Sequence, residues 1–485
     1  MKLKQLLKGL NGLEVKGSKE IEITGLSVDS RSTAPGHLFI AKKGTQFHGA
    51  QFMQQAINSG AAVVLNDLYD PFFSQTQIIH PQPALLEALL AARFYQFPSQ
   101  ELFVFGATGT KGKTTTTYVA RHVLEALNIA TGLIGGVQTI AAEQQFPSTL
   151  TTHDAIFNQK WLREMVFKKC RGAVLEVSSH GLAQNRVAEI TFDAALFTNL
   201  SSDHLDYHKT IEEYASCKKR LFQGLDQSSK KNKRAFFNGD SAWTPWMREG
   251  LKTPSWTFGV EAPADIRAKN ISFGLEGTRF TVDFQGQSAL FETSLIGKYN
   301  VYNLLGPIAL GLHLGASLQD LGAPVASFRP VPGRFERVGN SIFIDFAHTG
   351  DSLANVLCAL RPLVLGRLFV VFGCGGNRDP NRRYFMAKAA EKYADGTVIT
   401  TDNCRSEDPE AICRQILSGF ERPGLVHVEL DRRAAIFHAV QMLKKGDVLV
   451  IAGKGHEKSQ IFAHQTVPFD DVSVAKEALQ GKEVF

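Results

Sequence analysis

Cysteine is scarce in this chain. Its 485 residues include six, Cys170, Cys217, Cys358, Cys374, Cys404 and Cys413, with no Cys-x-x-Cys pair among them. That excludes a disulfide framework and argues against a thiolate zinc site. A reducing compartment is the expectation. No apolar run approaches the roughly 20 residues of a membrane-spanning helix. The opening Met-Lys-Leu-Lys-Gln-Leu-Leu-Lys has no apolar h-region, so the reading is a protein without a secretory signal, acting in the cytoplasm. Internal repeats and low-complexity linkers are also missing, which excludes solenoids and tethered modules.

The chain instead has a globular composition, 44% hydrophobic and 21% charged. At about 100–200 residues per domain, two to four domains are expected, with three as the central value. A formal net charge of +6 over this length is mild. It suits small anionic substrates better than a dedicated nucleic-acid surface. The densest basic run, Ser228–Arg234, has no interleaved aromatics and reads as a solvated loop.

Strand and helix patterns restart at two places. Residues 1–98 read as a small α/β unit with a strand at Ala61–Leu65 and a helix from Pro83 to Phe97. A new strand begins at Glu101, and short apolar runs at Arg171–Val177 and Phe192–Thr198 suit a buried parallel sheet over 99–330. After Arg329-Pro-Val-Pro-Gly333, runs at Ile342–Phe346, Leu368–Phe372, Thr397–Thr400, Leu425–Val428 and Val448–Ile451 alternate with helical stretches. Residues 331–485 therefore read as a doubly wound, Rossmann-like sheet.

The strand Leu102–Phe105 runs into Gly106-Ala-Thr-Gly-Thr-Lys-Gly-Lys-Thr-Thr115 and then a helix. Glycines let backbone N–H groups turn inward around phosphate oxygens, and the helix start adds partial positive charge. Lys113 can reach the β- and γ-phosphates, and the Thr114 hydroxyl can bind Mg²⁺. A nucleoside triphosphate, ATP, is expected here, on a central P-loop ATPase-like sheet. Glu176 lies in the next apolar run and needs a partner: a buried ion pair, or a Mg²⁺ opposite the loop. The polar cluster Thr198–His208, with Asp203, His204, Asp206 and His208, does not resolve into a role on composition alone.

Taken together, these motifs resemble the Mur ligase family nearly end to end. The phosphate loop is followed in family order by Glu176–Arg186, Thr198–His208, Gly297–Asn303, Pro332–Arg337, Asp345–His348 and Gly453–Glu457. The resemblance implies an ATP-dependent ligase of peptidoglycan precursor synthesis. ATP activates a carboxylate as an acyl phosphate, and an amine then displaces phosphate. It implies catalytic roles for Lys113, Glu176, His204 and Lys218. Mg²⁺ would be held by Thr114, Glu176, His204 and Lys218, the lysine as a carbamate. ATP would meet Gly109, Thr110, Lys111, Gly112, Lys113, Thr114, Thr115, Asn300, Arg334 and Asp345. UDP-N-acetylmuramoyl-dipeptide would meet Val28, Ser30, Thr45, Gln46 and Phe47 at its uridine end. Thr151, Thr152, Ser178, Gln184 and Arg186 would hold its muramoyl-peptide end. The implied working form is a monomer.

Ser27-Val-Asp-Ser-Arg31 is similar to the uridine motif of the members that add the third and fourth residues. Asp402-Asn-Cys-Arg405 is similar to the amino-acid motif of those adding meso-2,6-diaminopimelate. In a doubly wound sheet, ligands bind beyond the strand C-termini. His348, Arg378, the turn Asp402, Asn403, Cys404, Arg405, and Gly453–Glu457 each follow an expected strand, so they should converge on one rim. Arg378 and Arg405 suit carboxylates, whereas Asp402 and Glu457 suit ammonium groups, and diaminopimelate carries two of each. An L-lysine-adding or fourth-residue ligase, and a catalytically silent relative, stay open as alternatives. Two departures from the family pattern stand out: Lys111 replaces asparagine in the phosphate loop, and Cys404 replaces proline in the amino-acid turn.

Overall fold

A computed structural model describes residues 1–44 and 47–481, with Leu205 and Asp206 described by backbone only. Thr45 and Gln46 of the expected uridine turn lie outside the described residues. The chain forms two compact units, residues 1–266 with 305–317, and residues 267–304 with 318–485.

The first unit holds two sheets. Strands β1 (Glu14–Lys16), β2 (Gly25–Ser27), β3 (His37–Ile40), β4 (Val63–Asn66) and β5 (Thr76–Ile79) lie in the order β1-β5-β4-β3-β2. All neighbours are parallel except β1 against β5. Leu38, Ile40, Val63, Leu65 and Ile78 from this sheet pack on Leu90 of helix Pro83–Phe94. The expected strand and helix are both present with slightly different ends. Buried Glu87 of that helix accepts from Lys42 and from the backbone N–H of Ala155, and burial pushes its carboxyl up. Arg163 donates to the carbonyls of Tyr95 and Gln96 and to Glu101. These contacts carry the packing across residue 98.

The second sheet contains β6 (Phe103–Thr108), β7 (Thr131–Ile134), β8 (Gln138–Ala141), β9 (Gln144–Pro147), β10 (Gly172–Glu176), β11 (Ala194–Phe197), β12 (Arg234–Asn238) and β13 (Ser255–Gly259). Their order is β13-β12-β11-β6-β10-β7-β8-β9, parallel except for β7-β8 and β8-β9. Every residue of β10 and β11 is buried. Helices cover both faces of a parallel sheet, so such strands read as unbroken apolar runs. The basic run after residue 228 departs from the expected solvated loop. Lys230 pairs with Asp193 at 3.1 Å and donates to the Leu102 carbonyl, and Lys233 donates to the carbonyls of Asp226 and Ser228. Two of its cations cap strand and helix ends rather than facing water.

Near the start of the second unit, β14 (Ile266–Gly274, its first residue in the first unit) neighbours β15 (Gly277–Phe284), which pairs antiparallel with β16 (Gln287–Thr293). Its main sheet contains β17 (Glu336–Val338), β18 (Ile342–Asp345), β19 (Leu368–Phe372), β20 (Gly396–Ile399), β21 (Val426–Val428) and β22 (Val448–Ala452). The order is β17-β18-β22-β19-β20-β21, parallel except for β17. The expected strands are all present, and separate apolar clusters cover the two faces. β18, β22, β19 and β20 are consecutive neighbours, so the loops at their C-terminal ends are brought side by side.

Arg432 and Asp471 form an ion pair beneath two of those loops, and both side chains are fully buried. The guanidinium grips the carboxylate through two 2.8 Å bonds and also donates to the carbonyls of Thr401 and Ala452, at the ends of β20 and β22. Replacing only the cation would strand a buried charge. Arg432→Met is expected to cost about 3–5 kcal/mol of stability, read as a lower urea midpoint.

Candidate active site

The phosphate loop is built as its sequence requires. β6 ends at Thr108 and helix Lys113–Ala126 begins after Gly112. Gly109 has φ +148°, and a Cβ there would lie 1.9 Å from Thr198 Oγ1, so only glycine fits. The loop from β11 holds it in shape. Thr110 N–H donates to Asn199 O, Lys111 N–H to Asn199 Oδ1, and Thr198 Oγ1 to Lys111 O. Thr115 follows on the helix. The sequence reading assigned no role to Asn199, whose place inside Thr198–His208 was the available signal.

Two lysines meet at this loop. Lys113 Nζ donates to the carbonyls of Gly109 and Thr110, each at 2.9 Å. Lys218 Nζ donates to the same Gly109 carbonyl at 2.8 Å. Lys218 is 1% exposed and lies on helix Ile211–Gln227, one turn after Tyr214. That spacing puts both on one helix face, and the Tyr214 hydroxyl donates to Thr110 Oγ1 at 3.2 Å. Burial, and then the charge of Lys113, hold the Lys218 amine well below its ordinary pKa. A surface lysine in a basic helix would be solvated; this one is buried, and its amine holds a proton less tightly than a solvated lysine does.

Glu176 ends β10, opposite Ala107 of β6, and is 2% exposed. Its Oε2 accepts from Thr114 Oγ1 at 2.9 Å and its Oε1 from Gly136 N–H at 3.0 Å. His204 has φ +55°, and burial lowers its imidazole to about 4, so it is neutral at pH 7. His180 stands edge-on to it at 4.9 Å between ring centres, and near Tyr207 and His208, so it belongs to this aromatic cluster. Among the described residues no group of three or more His, Cys, Asp or Glu gathers as a metal cluster. The donors at the helix start are few and hard, a hydroxyl beside a carboxylate. That is the set Mg²⁺ takes when water and phosphates complete its shell.

The residues expected at the muramoyl-peptide lie beside Glu176. Thr152 Oγ1 donates to the Glu176 carbonyl and accepts from Ser178 N–H. Ser178 caps helix Ser179–Ala183. Arg186 donates to the Thr152 carbonyl and to Gln184 Oε1. Thr151 lies against Gly136, next to the Glu176 site. In the N-terminal sheet, Val28 and Ser30 follow β2. Ser30 is buried and donates to Gln55, Asp29 pairs with Arg31, and Phe47 is exposed.

The other expected residues sit in the second unit. Asn300 is buried and donates to the Ile296 carbonyl. Asp345 accepts from Phe335 N–H, and the Arg334 guanidinium lies 4.5 Å from the Phe346 ring centre. His348 is exposed, with Nδ1 at 2.8 Å from its neighbour carbonyl Phe346 O. At the rim, Arg405 has φ +53° and donates to Gly376 O at 2.8 Å. Asn403 Nδ2 donates to Glu457 Oε2 at 2.7 Å. A Cβ on Gly453 would strike Asp402, and one on Gly375 would lie between Arg405 and Arg378. Thus Arg378, Asp402–Arg405 and Gly453–Glu457 do come together.

Cys404 is 1% exposed, and burial pushes its thiol up to about 11, so it adds no charge to the rim. The turn is shaped without a proline ring. Gly376 N–H donates to Asn403 O, and a Cβ on Gly376 would lie 1.9 Å from Cys404 O. The Gly373-Cys-Gly-Gly376 run, which has no dinucleotide-loop spacing, packs against this turn. Lys454 was also missed from sequence: it is fully buried and bonded to both Asn403 and Glu457. Its flanking glycines after a strand were the only hint.

Comparison with known proteins finds similarity along nearly the whole chain. Three family models fit in chain order: "Mur ligase family, catalytic domain" over residues 22–88, "Mur ligase middle domain" over 107–311, and "Mur ligase, glutamate ligase domain" over 333–455. A Chlamydia caviae protein named UDP-N-acetylmuramoyl-L-alanyl-D-glutamate–2,6-diaminopimelate ligase is 40% identical over 99% of this chain and 100% of its own. A Gloeobacter violaceus protein of the same name is 41% identical over 99% of each. A solved structure of a ligase with that name superposes with a TM-score of 0.70 at 29% identity, covering 99% of both chains. With the phosphate loop from Ala107, its buried lysine and the rim residues Arg378 and Asp402–Arg405 all on segments these models match, and with relatives 40% identical over the full length, the chain belongs to the Mur ligase family.

Proposed function

We propose that this protein is an ATP-dependent ligase of peptidoglycan precursor synthesis. It joins meso-2,6-diaminopimelate to the D-Glu side-chain carboxylate of UDP-N-acetylmuramoyl-L-Ala-D-Glu. The observation that carries the chemistry is the pair of lysines on one phosphate-loop carbonyl, Lys113 and the buried Lys218, on the loop whose following helix start bonds Thr114 to Glu176. The names of the full-length relatives support the choice of substrates. Residues 1–98 would take the uridine end, 99–330 ATP, and 331–485 the amino acid, in the cytoplasm.

A carboxylate is a poor electrophile. Phosphoryl transfer from ATP makes an acyl phosphate and releases ADP, and an amine of diaminopimelate then attacks the acyl carbon, expelling phosphate and losing a proton. Positioning and charge do most of this work. Lys113 and the N–H groups at the helix start would hold phosphate oxygens. Thr114, Glu176 and neutral His204 would hold Mg²⁺, together with Lys218 as its carbamate. Bound there, Mg²⁺ would neutralise charge on the transferred group. The depressed pKa leaves Lys218 a lone pair, so it can add CO₂ and release a proton to become an anion. Arg186 and Thr152 would orient the peptide carboxylate. At the rim, Arg405 and Arg378 suit the carboxylates of the incoming amino acid, and Asp402 and Glu457 its ammonium groups. L-Lysine lacks the distal carboxylate and would leave a guanidinium unpaired, a loss of about 1–3 kcal/mol.

The test is phosphate release with ATP, Mg²⁺ and the UDP-muramoyl-dipeptide, offering diaminopimelate or L-lysine in parallel. A second pair of wells offers the UDP-tripeptide with D-Ala-D-Ala. Release with diaminopimelate is expected, with at least tenfold lower kcat/KM for lysine. Release with lysine alone would keep the ligase and overturn the charge argument at Arg405. Release only from the tripeptide would make this a fourth-residue enzyme, and no release in any well would overturn the proposal.

A further inference from the structure

Lys454 is a fully buried cation in the second unit, and its ammonium is completely engaged. Nζ donates to Asn403 Oδ1 at 3.1 Å, Glu457 Oε2 at 3.1 Å and the Ser459 carbonyl at 2.6 Å. Asn403 Nδ2 reaches the same Glu457 oxygen at 2.7 Å. Both donors thus converge on Oε2, and no described residue donates a hydrogen bond to Oε1. The Glu457 side chain is 33% exposed. One oxygen is clamped from within and the other is left on the accessible side of the carboxylate.

The same network fixes the turn that carries Arg405. Asn403 Oδ1 accepts from Ile461 N–H at 3.0 Å, and Arg405 N–H donates to Ile461 O at 2.9 Å. Lys454 therefore ties an anion and a cation of the rim to one buried point. A buried ammonium is costly to desolvate and is kept only where several acceptors compensate. Ion pairing for stability alone would not require two side chains of opposite function to share it.

We infer that Lys454 is a positioning residue that sets affinity for the incoming amino acid, holding Glu457 so that Oε1 meets an ammonium group and holding the turn so that Arg405 meets a carboxylate. This rests on the reading of the rim as the diaminopimelate site. Lys454 itself touches no substrate.

The experiment compares Lys454→Met, Glu457→Gln and the double variant in the full chain. Lys454→Gln, which keeps a donor for Ser459 O, replaces the methionine if that variant does not fold. Lys454→Met is expected to raise KM for diaminopimelate about 10- to 100-fold. KM for ATP and for the UDP-dipeptide should stay within about twofold. If Lys454 acts through Glu457, adding Lys454→Met to Glu457→Gln should raise KM by no more than about threefold further. Amide exchange at Arg405 and Ile461 should speed up in Lys454→Met. An unchanged KM for diaminopimelate despite faster exchange would overturn the inference, leaving a structural lysine. So would all three KM values rising together, or fully multiplicative effects in the double variant. A wild type that turns over no amino acid would sink the functional reading instead. Amide exchange would then decide the positioning claim, and unchanged exchange would overturn it.

Discussion

Lys113→Met is expected to lower ATP-dependent phosphate release by about 10³-fold or more. The ammonium is held by two loop carbonyls at 2.9 Å each. A charge already in place costs no reorganisation as the phosphoryl group moves, which is where electrostatic catalysis gains most. Methionine keeps the apolar stem, and the Gly109 carbonyl keeps its bond from Lys218. The thermal unfolding midpoint should therefore change little. The loss also propagates. The charge of Lys113 is one cause of the depressed Lys218 pKa, so its removal lets that amine climb back toward 10.5 and leaves less neutral amine for CO₂. Phosphate release and nucleotide binding measured side by side check this. A variant releasing phosphate at the wild-type rate would remove the loop from the chemistry.

Lys218→Met should lower activity sharply while stabilising the fold. In the folded chain the amine is neutral well below pH 10.5, chiefly because it is buried. Between that folded value and 10.5 the unfolded chain binds a proton that the folded chain refuses. By linkage, folded stability falls as pH drops from about 10.5, and stops falling below the folded value. In carbonate-free buffer, the stability gain of Lys218→Met should be absent near pH 10.5 and grow as pH is lowered. Activity should fall by about 10²-fold or more, as when one preorganised charge is removed from a reacting centre. Added bicarbonate should raise wild-type activity and leave the variant unmoved. Equal activity of variant and wild type, or a bicarbonate response in both, would exclude a carbamate on Lys218.

The two lysines illustrate what a motif conveys and what it does not. Lys113 was legible because strand, glycines and helix occur in fixed order around it, and local backbone geometry alone then aims its side chain. Lys218 reads as the first of three consecutive cations with Lys219 and Arg220, and only its helical spacing to Tyr214, Leu221 and Phe222 puts it on the apolar face of an amphipathic helix. The role proposed for it rests on the family resemblance, and its buried, depressed amine on the fold. The basic run after Ser228 shows the opposite failure. Charge density argued for water, but Lys230 finds Asp193, which lies 37 positions earlier in the chain.

By itself the sequence determined which strands are buried, because parallel strands covered on both faces leave unbroken apolar runs. It determined the phosphate loop, because glycine spacing dictates where the backbone can turn. It also determined that charged loops of the last segment share a rim, because strand ends of a doubly wound sheet point one way. Only the tertiary structure decided the pairings across long separations: Lys218 with Gly109, Lys454 with Asn403, and Arg432 with the ends of two strands. Those depend on which side chain loses its water, and desolvation is a property of the packed environment rather than of the residue or its neighbours in sequence.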